Sequence, residues 1–347
     1  MDAANFASSF TPLWVTDRGG VPDAVRLGAY ALVDPAGGLV ASAGDPSLVA
    51  FLRSSAKPFQ AVAFLRRGLD ERFGLDAAEI ACACASHEGE DKHVRAARRI
   101  LAASGADEKD LLCGTHAASS RDLERKVLTG EVQLGAIHNN CSGKHAAMLA
   151  VCRAEGWPAG SYPERDHPLQ RENLETLAAF AGVDPSSITV ATDNCTVPTF
   201  ALPLTAAARA FARLLEPDGL PDELARAGMS AARAMRARPD MVGGARRLDT
   251  ALMELTRGRL LVKTGANGYY AAAGPRASGG GSALGLALKL SGAEAEAQKA
   301  PVVIGTLAAT GLLSPAESEE LLARFDAAPV NCRGAVVGGG GWVGPGA

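Results

Sequence analysis

Leu284, Leu286, Leu288 and Leu290 alternate with smaller or polar residues. That strict period of two predicts a half-buried β-strand. Two apolar-rich runs, Ala24 to Val33 and Leu39 to Ala43, flank the turn residues Asp34, Pro35, Ala36 and Gly37 and predict a hairpin. Arg259 to Gly265 is again β-like, and Ala266-Asn267-Gly268 turns it into Tyr269 to Gly274. Between these runs the spacing is helical. One helix opens around Ser54 and ends near Gly68, a residue suited to the left-handed position after a helix. Asp91 to Ser104 reads as a charged surface helix and Lys144 to Glu155 as an alanine-rich buried one. Pro168 to Ala181 follows, with Asp166 placed to cap it and Pro168 tolerated in the first turn. Thr205 to Leu215, Glu223 to Arg236 and Arg246 to Thr256 continue the helical pattern. Ser314 and Glu317 then form a capping box ahead of Leu321, Leu322 and Phe325.

Strands near both ends with helices between them predict an α/β fold: a sheet completed by both termini, plus a helical lobe. We expect one catalytic domain, 1–347, with an α/β part at about 10–85 and 257–347 and a mainly helical part at about 86–256. The nearest thing to a linker, Glu216 to Asp222, is short enough to be a turn between helices. A chain of 347 residues buries a substantial core, and 47% hydrophobic with 21% charged residues fits a globular protein. The net charge of −3 removes the electrostatic case for nucleic acid or an anionic membrane. Arg95, Arg98 and Arg99 accordingly read as a solvated helix face. The N-terminal segment lacks the basic and apolar regions of a signal peptide, and no uncharged apolar run reaches the ~18 residues of a membrane span. Seven scattered cysteines argue against a disulfide framework and for a reducing compartment. The expectation is a cytoplasmic protein acting on a small molecule.

Candidate chemistry begins at Ser54 and Lys57. Pro58 has no N–H and belongs in the first turn of a helix, which puts Ser54 at or just before the helix N-terminus. Free N–H groups there favour an anion such as an alkoxide or a tetrahedral intermediate. Positions i and i+3 share a face, so the Lys57 amine is within reach of Ser54 Oγ. By itself this Ser-x-x-Lys fits a capped surface helix. Lys263 changes the balance, because it ends an apolar run where a lysine is neutral or paired. Two lysines converging on one serine lower each other's proton affinity, and a neutral lysine is a general base. Ser-x-x-Lys followed much later by Lys-Thr-Gly is also the order found in class A β-lactamases and penicillin-binding proteins. Ser86 takes the place of the serine in their Ser-Asp-Asn, although the run here is Ser86-His87-Glu88. The segments Asn139 to Leu149 and Thr192 to Thr199 each set a cysteine beside polar residues. Cys141, Lys144 and His145 share a face of any helix starting at Cys141, and Cys195 offers a second thiolate. Lysine is an unusual ligand, and these residues alone fit free buried thiols at least as well.

Taken together, RSSAKPFQ, CASHEGED, CSGKHAAML, TDNCTVPTF and KTGANG resemble the L-asparaginases of the Rhizobium etli type, the asparaginase II or class 3 family. VTDRGG near the start and VNCRG near the end extend the resemblance over nearly the whole chain. It implies a serine β-lactamase-like and glutaminase-like fold and a bacterial amidohydrolase that releases ammonia from L-asparagine. It implies two Ser–Lys tandems, Ser54 with Lys57 and Ser86 with Lys263. It also implies one auxiliary zinc ion per chain on Cys141, Lys144 and Cys195. Arg53, His145 and Asp193 are carried over as substrate-binding, and a homodimer is implied. Two rivals share part of the pattern. One is a serine amidase acting on another amide, as in β-lactamases or glutaminases. The other is a zinc-stabilised binding module whose serines are merely caps.

Overall fold

The computed structural model describes residues 3–292, 296–325 and 328–345. Its main sheet uses strands from both ends of the chain. Strands β1 (Thr11–Arg18), β2 (Val21–Val33) and β3 (Leu39–Ala43) come first, and β7 (Leu261–Thr264), β8 (Tyr269–Gly274), β9 (Leu284–Leu290) and β10 (Gly338–Trp342) come last. Three shorter strands, β4 (Val49–Phe51), β5 (Thr189–Thr192) and β6 (Pro198–Pro203), form a separate sheet in the order β4-β6-β5. The main sheet runs β10-β1-β2-β9-β8-β7, with β3 also on β2, and every pair is antiparallel. The expected hairpin is therefore present, pairing Tyr30 with Ala43 and Val33 with Leu39.

The helices fall largely where the spacing places them. From the N-terminal side they are α1 (Ala3–Ser8), α2 (Lys57–Leu65), α3 (Leu69–Arg72), α4 (Ala77–Ala83), α5 (Asp91–Ser104), α6 (Arg121–Leu128) and α7 (Ser142–Glu155). Then come α8 (Pro168–Ala181), α9 (Leu204–Arg213), α10 (Asp222–Ala237), α11 (Pro239–Val242), α12 (Leu248–Leu255), α13 (Glu296–Ala309) and α14 (Pro315–Phe325). The capping box of α14 forms in both directions, Glu317 N–H to Ser314 Oγ at 3.2 Å and Ser314 N–H to Glu317 Oε2 at 2.8 Å. On α5, Arg98 and Arg99 pair with Glu108 and Glu79, as a solvated basic face does.

Three local readings change. The cap of α8 is His167, whose Nδ1 accepts from Leu169 N–H at 3.2 Å, rather than Asp166. The segment at Ser54 enters as a 3-10 turn, Arg53–Ala56, before α2 begins at Lys57, so Ser54 is not an α-helical cap. Strand β9 is buried on both faces instead of one. The backbone of α9 lies so close to one face that a Cβ at Gly285 would overlap Ala208 O. On the other face, Lys299 of α13 reaches Thr264 and the ring of Tyr270. The mainly helical middle of the chain also contributes the hairpin β5–β6. That hairpin and the hairpin β7–β8 carry the loops of the site described next.

Candidate active site

Three segments distant in sequence meet at Ser86. Lys57 opens α2, where Pro58 occupies the first turn and needs no N–H acceptor. Ser86 lies in the loop after α4, tied down by Ser86 N–H to Val242 O at 3.0 Å and His87 N–H to Asn140 O at 3.2 Å. Lys263 is the third residue of β7, an outer strand of the sheet. Lys57 Nζ donates to Ser86 Oγ at 2.9 Å, and to Ala85 O at 2.5 Å and Asn140 O at 3.4 Å. Lys263 Nζ lies 3.0 Å from Ser86 Oγ and 3.0 Å from Thr264 O. Both lysines are almost fully buried, at 1% and 0% exposure. Burial drives the Lys263 amine down to about 7; the Asp249 carboxylate opposes this, while Lys57, Arg247 and Lys299 add to it. The charged amine is thus disfavoured where a base must be neutral.

Ser54 stands one turn before Lys57 and is only partly buried. No hydrogen bond to its hydroxyl occurs among the described residues, so the expected Ser54–Lys57 contact is replaced by Lys57 to Ser86. Its neighbours are held under strain. Arg53, Thr196 and Asn267 are three of the four non-glycine left-handed residues among the described ones, at φ of 51°, 81° and 56°. Arg53 and Asn267 belong to one polar network. Arg53 Nε donates to Asp193 Oδ1 at 2.9 Å, and its other nitrogens to Asn267 Oδ1 at 2.8 Å and Asn194 Oδ1 at 3.0 Å. Thr196 is in the loop of that same Asp193, with its N–H donating to Asp193 O at 2.9 Å. Backbone strain of this kind persists only where surrounding contacts enforce it. Burial raises the Asp193 carboxyl, but the Arg53 hydrogen bond and the Lys144 and Arg53 charges leave it below the ordinary range.

The cysteine loops converge as well. Lys144 Nζ, in the first turn of α7, donates to Cys195 Sγ at 3.1 Å. The Cys195 thiol holds Cys141 well below its usual range despite burial, with Lys57 and Lys144 contributing. Burial lowers Lys144, yet the sulfurs of Cys195 and Cys141 leave its amine above the ordinary value. His145 is fixed by Tyr162. The Tyr162 hydroxyl accepts from Leu112 N–H at 2.9 Å and lies 2.6 Å from His145 Nδ1. Burial lowers the His145 ring to about 4, with the hydrogen bond to Cys195 opposing this and the Lys144 charge adding to it. It lies in the same electrostatic surroundings as Cys195 and Lys144.

Several contributors had no signal in the sequence. Asp249, at 1% exposure, accepts from Thr264 N–H at 2.9 Å and lies 3.8 Å from Lys263 Nζ. Nothing about a single aspartate in a helix marks it for that place. His87 and His93 stack at 4.9 Å under the Ser86 loop. His87 Nδ1 accepts from Gly89 N–H, which leaves Nε2–H for Ser142 Oγ at 3.1 Å. Burial, the main cause for both rings, drives His93 down to about 4 and His87 well below its ordinary value.

A hydroxyl held between two buried amines is an arrangement suited to moving protons. The sequence model of the L-asparaginase II family matches residues 15–340, and the chain belongs to that family. It is accordingly a hydrolase acting on the amide of asparagine. No curated protein matches the chain.

Proposed function

We propose that the chain hydrolyses L-asparagine to aspartate and ammonia through an aspartyl ester on Ser54, with Lys57, Ser86 and Lys263 as its proton path. The observation carrying this reading is Ser86 Oγ, 2.9 Å and 3.0 Å from two buried lysine amines. Ser54 is the hydroxyl left open to substrate, while Ser86 is buried and fully engaged. Lys57 passes a proton to Ser86 as Ser86 passes its own to neutral Lys263, and the Lys57 amine so freed takes the Ser54 proton as Ser54 attacks the side-chain amide carbon. Collapse of the tetrahedral intermediate breaks the C–N bond, and the same proton returns along the path to the leaving nitrogen. Water then attacks the ester, with its proton again taken up by the path. Asp193 suits the substrate ammonium and Arg53 its carboxylate, each sign opposite to the group it meets. His145, held by Tyr162 beside Cys195, is the third substrate-binding residue.

The arrangement also supports a serine β-lactamase-like fold. Its Ser-x-x-Lys segment packs beside an outer antiparallel strand carrying Lys263-Thr264-Gly265. The sulfur cluster fits zinc. Cys141 favours the thiolate and Lys144 donates to Cys195 Sγ, while Cys141 and burial push the Cys195 thiol up, so that this thiol would lose its proton on binding the ion. Cys141, Lys144 and Cys195 would hold the ion, with Lys144 giving up its proton, and it would supply a Lewis acid next to the substrate.

Ammonia release from asparagine and from glutamine, measured side by side, tests the activity. Ser54→Ala should abolish it while leaving the fold intact. Mass spectrometry of acid-quenched wild-type enzyme should find the aspartyl ester on the peptide containing Ser54. An ester on the Ser86 peptide, or normal turnover by Ser54→Ala, would reverse the assignment of the nucleophile.

A further inference from the structure

We infer that Asp249 is a positioning residue of this site, whose buried carboxylate fixes the end of β7 and sets how readily Lys263 takes a proton from Ser86. The inference rests on the reading of Lys263 as the terminal base. Asp249 lies in the first turn of α12, at 1% exposure. Its Oδ2 accepts from Thr264 N–H at 2.9 Å and lies 3.8 Å from Lys263 Nζ. One carboxylate oxygen thus holds the backbone just after the lysine and faces its amine. The other oxygen, Oδ1, is buried with no hydrogen-bond partner among the described residues. An unbonded carboxylate oxygen in a dry interior is costly, and most such atoms in folded proteins are satisfied. Here the charge has a counterpart. An opposite charge at that range favours the ammonium form, typically by about one to three pH units.

The other groups facing Lys263 act in the opposite sense. They are Lys57 from α2, Arg247 preceding α12 and Lys299 from α13. Cys84, at the end of α4, is also within electrostatic reach. Every cation near Lys263 pushes its proton off, and Asp249 is the carboxylate that counters them. Lys299 bonds the Thr264 hydroxyl from the far side of the strand, so Thr264 is gripped by Asp249 through its N–H and by Lys299 through its Oγ1. Without Asp249 the amine would stay neutral too far into the acid range to retain the proton destined for the leaving nitrogen.

Asp249→Asn removes the charge and keeps an acceptor for Thr264 N–H. The expected result is an ascending limb of kcat against pH displaced to acid by about one unit, with KM little changed. A purely structural residue would lower kcat at every pH and leave the limb in place, and that outcome overturns the proposal. Asp249→Glu keeps the charge, so its limb stays at the wild-type position even where kcat drops. Displacement in both variants alike would also overturn the role.

A second readout does not depend on catalysis. Lys263 binds its proton less tightly folded, at about 7, than unfolded, so unfolding takes up a proton between those values and stability rises with pH across that window. In Asp249→Asn the rise should begin at lower pH. Lys289, lowered to about 8 mainly by burial, adds a rise common to both proteins. Parallel stability curves from pH 5 to 8 would defeat the inference about Asp249. Full turnover by Lys263→Met would instead defeat the reading of Lys263 as base, with the stability curves still deciding the role of Asp249.

Discussion

Lys57 Nζ meets three acceptors, Ala85 O, Ser86 Oγ and Asn140 O. This lysine is therefore a structural clamp and a proton carrier at once, joining α2 to the Ser86 loop and to the loop before α7. Lys57→Met should cut kcat by about 10²- to 10⁴-fold, the usual worth of a positioned acid–base group, with KM changing far less. Steady-state ammonia release measures both constants, and a variant within threefold of wild type would remove Lys57 from the chemistry. For the wild type, kcat should climb with pH through a midpoint near 7, as Lys263 loses its proton. At this scale the sequence was readable in part. Ser54, Lys57, Ser86 and Lys263 were visible as residue types because motif order and a buried lysine after an apolar run are local signals. The contact of Lys263 with Ser86 matches the pairing that the resemblance implied, whereas the contact of Lys57 with Ser86 was not visible. A rule of helical spacing assigned Lys57 to Ser54, but the four-carbon stem reaches across to Ser86 once α4 and α2 are packed. Asp249 was invisible for the same reason, since its meaning comes only from a strand packed against it.

Helix α7 carries Lys144 and His145 and follows directly on Cys141, so its seating decides whether the sulfur cluster assembles. It approaches α4 at Gly143, where an added Cβ would overlap the carbonyl oxygen and sulfur of Cys82. The backbone there cannot retreat without moving Lys144, the next residue along the helix, away from Cys195. Gly143→Ala should destabilise the protein by about 1–3 kcal/mol through overpacking, read as a lower urea midpoint with an unchanged slope. Stability equal to wild type would mean that α7 has slack at this contact. The element pattern explains why most helices were legible and the second sheet was not. Helices such as α5 and α8 announce themselves over 14 residues each, with a glycine at each C-cap. Strands β4 and β5 have three and four residues, too short for a period of two to stand out from a loop. Strand β9 showed the opposite error. Its small alternate residues mimic a polar face, whereas they are small because helix α9 lies directly on them.

The sheet places the two halves of the site on opposite ends of the sequence. Ser54, Lys57 and Ser86 precede the helical insertion, while Lys263 follows it on β7. The central pairing, β2 with β9, joins Gly28 through Val33 to Leu290 through Gly285, and its flanks are buried throughout. Both termini close the same sheet, with β10 pairing on β1. β1, β2 and β3 pair among themselves, as do β7, β8 and β9, and the β2–β9 pairing joins the two stretches into one sheet. Cutting the chain after Thr256 should accordingly leave a 1–256 fragment that lacks β7, β8 and β9 and exposes Tyr30, Ala31 and Leu32 of β2. We expect that fragment to show no cooperative thermal transition and no ammonia release. The 257–347 piece alone should behave likewise. Refolding the two together should restore both signals, because β2–β9 pairing and the contact between Lys263 and Ser86 form in the same step. A 1–256 fragment that melts cooperatively by itself would show the helical part to be an autonomous domain. The site would then be an interface between two folded units, and the effects of Lys57→Met and Asp249→Asn on stability should add independently. In a single unit they should be coupled through Lys263, and a double-mutant cycle on unfolding free energy separates the two cases.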